Sequence, residues 1–346
     1  MTGIDQIIGQ HNALEILRRM GDTGHVPHGL LFQGPAGCGK ASVATAFAAR
    51  LMCEQEDGPC GRCESCRLID SGGHPDLLVV HRMPKKASAS APSGEPEDLR
   101  QFIVVDQIRE LTRIAGMAPR RGTRRVFIID PADQMNNEAQ NALLKTLEEP
   151  PGNAVLILVA SRPHLLLPTV RSRCFVVGFA ALRVGELAAA LADRGFDPAE
   201  ATTRAALAEG RPGRALDLDL EQLQAKRDRL LECLETLAAS PAAIADLPAM
   251  AGAIAGKTQT HLLESLEMLE TLLRDAARAG QREDDPGLVH ADLGERLRDL
   301  GLRIGVQRAA SLVSCVERLR RDLRLNVNRT LIAESILAAV AGGPIP

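Results

Sequence analysis

Hydrophobic and polar positions along the first half of the chain follow two alternating patterns. Segments such as VDQIRELTRIAGM and NNEAQNALLKTLEE carry apolar residues at the spacing of an amphipathic helix. Between such segments lie five continuous apolar runs, which are typical of strands covered on both faces: 29–33, 76–81, 124–130, 154–161 and 174–179. This alternation predicts an α/β domain in which helices cover both faces of a mainly parallel sheet.

The strand pattern stops after about residue 179. From there, alanine-rich and leucine-rich amphipathic segments run to the C-terminus, with Gly and Pro between them. We therefore expect three domains: the α/β domain over 1–179, a small helical domain over 180–220, and an all-α domain over 221–346. Residues 83–98, rich in Ala, Ser and Pro, have almost nothing to bury, and predict an inserted surface loop.

Composition restricts the class of protein. The chain has 346 residues, of which 45% are hydrophobic and 25% charged, which excludes a disordered or fibrous protein. A formal net charge of -3 gives no general attraction to nucleic acid, so any DNA contact would need a local patch such as PRRGTRR at 119–125. Neither a long apolar span nor a secretory signal pattern is found, so we expect a cytoplasmic protein without a membrane partner.

Residues 34–42, GPAGCGKAS, nearly match the phosphate loop G-x4-G-K-[ST] after the first predicted strand. Glycines let backbone N–H groups surround a phosphate, and the lysine reaches the β and γ phosphates. The next position should supply a hydroxyl to Mg²⁺ but holds an alanine, and the following serine lies about 100° further round the helix. The candidate nucleotide-contacting residues are Gly34, Gly37, Gly39, Lys40, Ala41 and Ser42. ATP or ADP binding stays open, whereas hydrolysis should be weakened.

The acidic half of an ATPase site is also incomplete. Such a site ends an apolar strand with Asp, which holds Mg²⁺, followed by Glu, which activates the attacking water. Here VFIIDPAD provides Asp130 for the metal but Pro131 in place of the base. Two independent defects therefore point to a chain without intrinsic catalysis.

Four cysteines form a second candidate site. Cys53, Cys60, Cys63 and Cys66 are spaced C-x6-C-x2-C-x2-C, with Gly and Pro residues between them to make the turns. Four thiolates this close suit tetrahedral Zn²⁺. An iron–sulfur cluster is the alternative, although the cysteine followed by Pro that completes a ferredoxin motif is missing after Cys66. We predict structural zinc, which metal analysis distinguishes from iron.

Several stretches together resemble the AAA+ clamp-loader proteins of bacterial DNA polymerase III, and among them the delta prime family. The matching stretches, besides the phosphate loop and the cysteines, are GGHPDLLVV (72–80), VDQIREL (105–111), NALLKTLEEPP (141–151) and LLPTVRSRCF (166–175). They cover most of 28–179. The gamma/tau motor subunits share LLKTLEEPP and Ser172-Arg173-Cys174 but keep the hydroxyl and the Asp-Glu pair, so the defects favour delta prime. An ATP-hydrolysing motor subunit is the alternative.

The resemblance implies roles for particular residues. In Ser172-Arg173-Cys174, Arg173 would be an arginine finger that stabilises the γ-phosphate in the ATP site of a neighbouring subunit. The alternative is that Arg173 only pairs with a carboxylate. Ser161 matches the position that senses a γ-phosphate, and Gly213 stands where motor subunits have a sensing arginine.

The resemblance also implies an assembly. The fold would be an AAA+ P-loop NTPase-like domain followed by a helical lid and an all-α collar domain. The chain would be a non-hydrolysing stator in a hetero-pentamer with gamma/tau and delta subunits, loading the sliding clamp onto primed DNA within the polymerase holoenzyme. A zinc-dependent DNA-binding module is a third hypothesis, disfavoured because the cysteine region is nearly neutral and lacks aromatic residues.

Overall fold

The structure is a computed structural model, and it describes residues 7–55, 58–83, 102–239, 245–256, 259–282, 287–322 and 328–345. Nearly all of the loop predicted at 83–98 lies outside the described residues. The chain divides into two compact units, Met1–Leu216 and Asp217–Pro346. The domain boundaries predicted at 179 and 220 stay predictions.

The first unit is built on a sheet of five parallel strands. They are β1 (Gly29–Gln33), β2 (Leu77–Val80), β3 (Arg125–Ile129), β4 (Ala154–Ala160) and β5 (Phe175–Gly178), in the order β2-β3-β4-β1-β5. Each predicted strand is confirmed. Because all five run the same way, the loops that follow β1, β3 and β4 meet at one edge of the sheet, where open α/β sheets bind ligands.

Helices cover both faces of this sheet, as predicted. They are α1 (His11–Thr23), α2 (Lys40–Met52), α3 (Glu64–Asp70), α4 (Val105–Ala115), α5 (Asn137–Glu148) and α6 (Pro168–Arg171). Alternate strand residues enter two apolar clusters: Phe32 packs with Phe47 of α2 on one face, and Leu31 packs with Leu143 of α5 on the other. This burial on both faces explains why the strands are apolar without interruption.

Three further helices complete the first unit: α7 (Val184–Ala192), α8 (Pro198–Leu207) and α9 (Pro212–Asp217), of which the last ends at the unit boundary. The α8 helix begins where the Asp197 carboxylate accepts the N–H groups of Ala199 and Glu200, at 3.0 and 3.3 Å. Proline at its first position fits such a start, because that N–H needs no helical partner.

The second unit is helical throughout its described part. It contains α10 (Leu220–Ala239), α11 (Leu247–Ala255), α12 (Gln259–Ala279), α13 (Gly294–Ile304), α14 (Val306–Asp322) and α15 (Arg329–Val340). Leucine, isoleucine and alanine side chains from all six form one buried cluster. Among the described helices, none is both long and apolar enough to span a bilayer.

Candidate functional site

The phosphate loop runs from the end of β1 to the start of α2. Gly34 lies so close to Phe179 that a Cβ would be 2.2 Å from the Phe179 carbonyl oxygen, so no side chain fits there. Gly37 and Gly39 have φ of 81° and 86°, in the left-handed region that favours glycine. The three glycines of the loop are therefore required by its shape.

Lys40 closes this loop onto itself. Its side chain is buried, and the Nζ atom donates to the carbonyl oxygens of Gly34 and Pro35, both at 2.6 Å, and to Ser161 Oγ at 3.1 Å. Burial lowers the pKa of Lys40, and the charge of Asp130 is among the influences that oppose this. Its three hydrogen bonds connect the two carbonyls of the loop to the residue that follows β4.

The helix α9 also contacts the loop. The backbone N–H of Gly213 donates to the Gly37 carbonyl oxygen at 2.8 Å, and a Cβ on Gly213 would lie 3.0 Å from that oxygen. A Cβ on Gly37 would lie 3.3 Å from the Cβ of Arg214. The sequence places Gly213 where motor subunits have a sensing arginine, and the structure shows that its backbone also contacts the phosphate loop.

The predicted magnesium-site residues are distributed around Lys40. Ala41 and Ser42 are exposed at the start of α2. Asp130 follows β3, and burial raises its pKa while the charge of Lys40 opposes that rise. Pro131 holds the position where an ATPase has its base, as the sequence indicated. The structure therefore brings the lysine predicted to contact phosphate near the aspartate predicted to hold Mg²⁺, and both sequence defects lie beside them.

Asp133 belongs to the same site, although the sequence did not assign it there. Its buried carboxylate accepts the N–H of Ser161 at 3.2 Å and the Nε–H of Arg162 at 3.4 Å. It thereby fixes the end of β4 beside Lys40. The only sequence signal was its place three residues after Asp130, which does not specify a partner 28 residues away.

The four cysteines come together as predicted. Their Sγ atoms all lie within 4.8 Å of one another, and the Cys53 Sγ is 3.9 Å from the Cys63 Sγ and 3.8 Å from the Cys66 Sγ. Backbone N–H groups point at the sulfurs, from Cys63 to the Cys60 Sγ at 3.3 Å and from Cys66 to the Cys63 Sγ at 3.4 Å. Such donors favour thiolates, so the donor set fits a tetrahedral metal ion.

The basic stretch at 119–125 is held by acidic side chains. Asp76 is fully buried and pairs with Arg125 at 2.9 Å, while its carboxylate also accepts the N–H groups of Arg120 and Arg121, at 2.8 and 2.6 Å. The Arg121 guanidinium pairs with Glu64 beside the cysteine cluster. Two of the arginines that could attract DNA are thus neutralised within the chain, and the stretch anchors the cysteine segment to the sheet.

Arg173 lies at the opposite edge of the sheet from Lys40. Its Nη2 is 2.6 Å from a Glu148 carboxylate oxygen, and its Nη1 donates to the Thr169 carbonyl at 3.0 Å. Leu30 pairs with Phe175 in the sheet, which puts Arg173 before the first residues of β1, whereas Lys40 follows the last. The Arg173 side chain is 37% exposed. The ion pair of the second alternative is therefore present, and the guanidinium is still accessible, as an arginine finger requires.

Two family models match the chain. One, described as DNA polymerase III, delta subunit, matches residues 9–183, and another, described as the C-terminal part of that subunit, matches residues 221–341. The Pseudomonas aeruginosa protein named DNA polymerase III subunit delta' is 31% identical over 341 residues, 95% of this chain and 96% of that protein. The chain belongs to the DNA polymerase III delta prime family. The resemblance identified from sequence is confirmed.

Similarity to other members of the clamp loader is partial. The Mycobacterium tuberculosis subunit gamma/tau is 36% identical over 170 residues, 49% of this chain and 27% of that protein. A Yersinia pestis delta prime subunit is 35% identical over 172 residues, 49% of the chain and 44% of that protein. Because the delta prime match to Pseudomonas extends over both units while the gamma/tau match covers half the chain, delta prime is favoured over the motor alternative.

Proposed function

We propose that this chain is the non-hydrolysing stator of a DNA polymerase III clamp loader, and that Arg173 acts in the ATP site of a neighbouring gamma/tau subunit. The observation that supports this most strongly is the separation of Arg173 from the chain's own phosphate loop. A guanidinium that stabilises γ-phosphate charge must touch that phosphate. If Arg173 lies far from the phosphate loop of its own chain, the phosphate that it contacts must be bound by a different chain.

The separation follows from the strand β1. A Cβ on Gly29, the first residue of β1, would lie 3.1 Å from the Arg173 carbonyl oxygen, whereas the phosphate loop begins at Gly34 after the last residue. Five residues of extended chain span roughly 16 Å. Arg173 therefore serves a nucleotide bound elsewhere, and its exposure makes it accessible to a docked neighbour.

The chain's own loop contributes little chemistry in this proposal. The Lys40 ammonium is engaged by two loop carbonyls and Ser161, and Gly37 is engaged by Gly213 of α9. ATP or ADP would have to replace these contacts, and Ala41 and Pro131 would still leave hydrolysis without a magnesium ligand and a base. Measurable ATP hydrolysis by the isolated chain would favour the motor alternative instead.

The cysteine cluster holds Zn²⁺ in this proposal. The four sulfurs would be its ligands, and the ion would fix the connection from α2 to the first turn of α3. Metal analysis of the purified chain should find one zinc per molecule and a colourless protein. Brown protein containing iron would overturn this assignment.

The proposal extends to the domain organisation of the chain and to its assembly with other subunits. The domains would be 1–179, 180–220 and 221–346, with the last joining a collar of five subunits that includes gamma/tau and delta. The sliding clamp and primed DNA would be engaged through the complex, in the cytoplasm, and polymerase activity would belong to the holoenzyme. A substitution of Arg173 in this chain tests its role in the assembly.

The test uses a clamp loader reconstituted with its cognate subunits, sliding clamp and primed DNA. Arg173→Ala should abolish the hydrolysis at the single site that Arg173 serves, since a finger contributes about 10³ to 10⁵ in rate. Arg171→Ala is the matched control, because Arg171 is exposed two residues earlier. Equal ATPase and clamp loading in the wild-type and Arg173→Ala complexes would refute the proposed function.

A further inference from the structure

Glu148 is the last residue of α5, and its carboxylate holds the Arg173 guanidinium at 2.6 Å. The Thr169 carbonyl provides a second acceptor at 3.0 Å, from the helix α6. Two acceptors on two helices therefore fix the direction of a long side chain. The pair is still accessible, because Arg173 is 37% and Glu148 48% exposed.

The helix α5 is tied to the Arg173 segment at further points. Gln140 is buried, and its Oε1 accepts the Leu167 N–H at 2.7 Å while its Nε2 donates to the Leu165 carbonyl at 3.3 Å. At the other end of the helix, a Cβ on Gly29 would be 3.0 Å from Leu147 Cδ2 and 3.1 Å from the Arg173 carbonyl oxygen. The end of α5 and the arginine segment therefore meet over the same residue of β1.

The end of α5 determines which glutamate reaches Arg173. Thr146 and Leu147 are buried, so the last turn has a fixed rotation, and Pro150 and Pro151 stop the helix from continuing past this point. Glu149 is also exposed, but its N–H closes the helix on the Lys145 carbonyl, and the ion pair with Arg173 is made by Glu148. Position in the helix therefore singles out one of two adjacent glutamates.

We infer that Glu148 is a positioning residue that orders the Arg173 guanidinium before a neighbouring subunit docks. This inference rests on the proposed function of Arg173. An arginine that is already ordered loses less side-chain entropy on docking, which favours productive contact with the phosphate. An exposed ion pair is weak, so the guanidinium can exchange the carboxylate for the γ-phosphate without a large cost.

The experiment measures the Arg173-dependent ATPase of reconstituted complexes. For each complex it is defined as the ATPase rate minus the rate of the complex that contains the Arg173→Ala chain. Glu148→Ala should lower kcat for this activity about 3- to 10-fold, equivalent to about 0.6–1.4 kcal/mol, with KM for ATP nearly unchanged. Glu148→Gln keeps an oxygen that accepts the guanidinium hydrogen bond and should retain most of the activity. Glu149→Ala is the matched control and should behave as wild type.

Several outcomes separate the alternatives. Unchanged or increased Arg173-dependent ATPase in Glu148→Ala would overturn the inference. An increase would mean that Glu148 holds Arg173 away from the phosphate instead of ordering it for contact. In the Arg173→Ala background, Glu148→Ala should have no additional effect on kcat, and an independent loss would also contradict positioning. If Arg173→Ala itself changes nothing, the proposed function fails, which is a different result from failure at Glu148. Thermal midpoints of the variants should match wild type.

Discussion

Lys40 is expected to stabilise the phosphate loop of this chain more than it serves a nucleotide. Lys40→Met keeps most of the apolar stem and removes the ammonium group that donates to Gly34, Pro35 and Ser161. Two loop carbonyls lose their charged donor, and leaving a buried polar group unpaired costs about 1–3 kcal/mol. Relief from burying a charge offsets part of this loss. We expect a net destabilisation of about 2 kcal/mol.

The assay is thermal unfolding of the isolated chain combined with a titration of labelled ATP. For a unit of this size, about 2 kcal/mol lowers the midpoint by roughly 4–8 °C. Lys145→Met, on the exposed side of α5, is the control and should change stability by less than about 0.5 kcal/mol. Unchanged stability together with the loss of tight ATP binding in Lys40→Met would contradict a structural role of Lys40, since Lys40 would then be a nucleotide ligand.

Two predictions concern the second unit. Burial lowers the pKa of His290 to about 4, so its contribution to stability is complete above its unfolded pKa and is lost as pH falls towards 4, by about 2 kcal/mol between pH 7 and 5. Burial raises the pKa of the neighbouring Asp275, so protonation of this carboxyl stabilises the folded state as pH falls and offsets part of the histidine effect. His290→Gln removes the histidine contribution and should therefore flatten the loss of stability that urea unfolding measures between pH 7 and 5. An unchanged slope would contradict this prediction. A Cβ on Gly301 would lie 2.0 Å from the Ala276 carbonyl oxygen, so Gly301→Ala should destabilise by about 1–3 kcal/mol. A Cβ on Gly252 of α11 would enter open space, so Gly252→Ala should raise the free energy of unfolding by about 0.5–1 kcal/mol. If calorimetry shows the same effect for both variants, the close contact of Gly301 with Ala276 does not determine stability.

The sequence predicted the features that depend on local pattern. The strands could be located because both faces are buried, so their apolar runs are continuous. The cysteine cluster could be predicted because its ligands are close along the chain, and the phosphate loop because its glycines have a fixed spacing.

Contacts between distant segments could not be predicted in the same way. The hydrogen bond from Gly213 to Gly37 joins residues more than 170 positions apart, and no local preference specifies it. Asp133 lies in the short 3₁₀ helix Ala132–Gln134 and Glu148 at the end of α5, where acidic side chains are commonly solvated. Only the approach of other strands and helices gives them Ser161 and Arg173 as partners. The pairing order of the strands is likewise decided by packing over the whole sheet.

Arg173 is proposed to stabilise a phosphate bound by a neighbouring subunit. The most direct measurement is the steady-state ATPase of the reconstituted clamp loader with wild-type chain, Arg173→Ala and Arg171→Ala. We expect Arg173→Ala to remove the hydrolysis at the site that Arg173 serves and to impair clamp loading while the complex still assembles. Arg171→Ala should resemble wild type. Full ATPase in the Arg173→Ala complex, or equal loss in both variants, would contradict this role of Arg173.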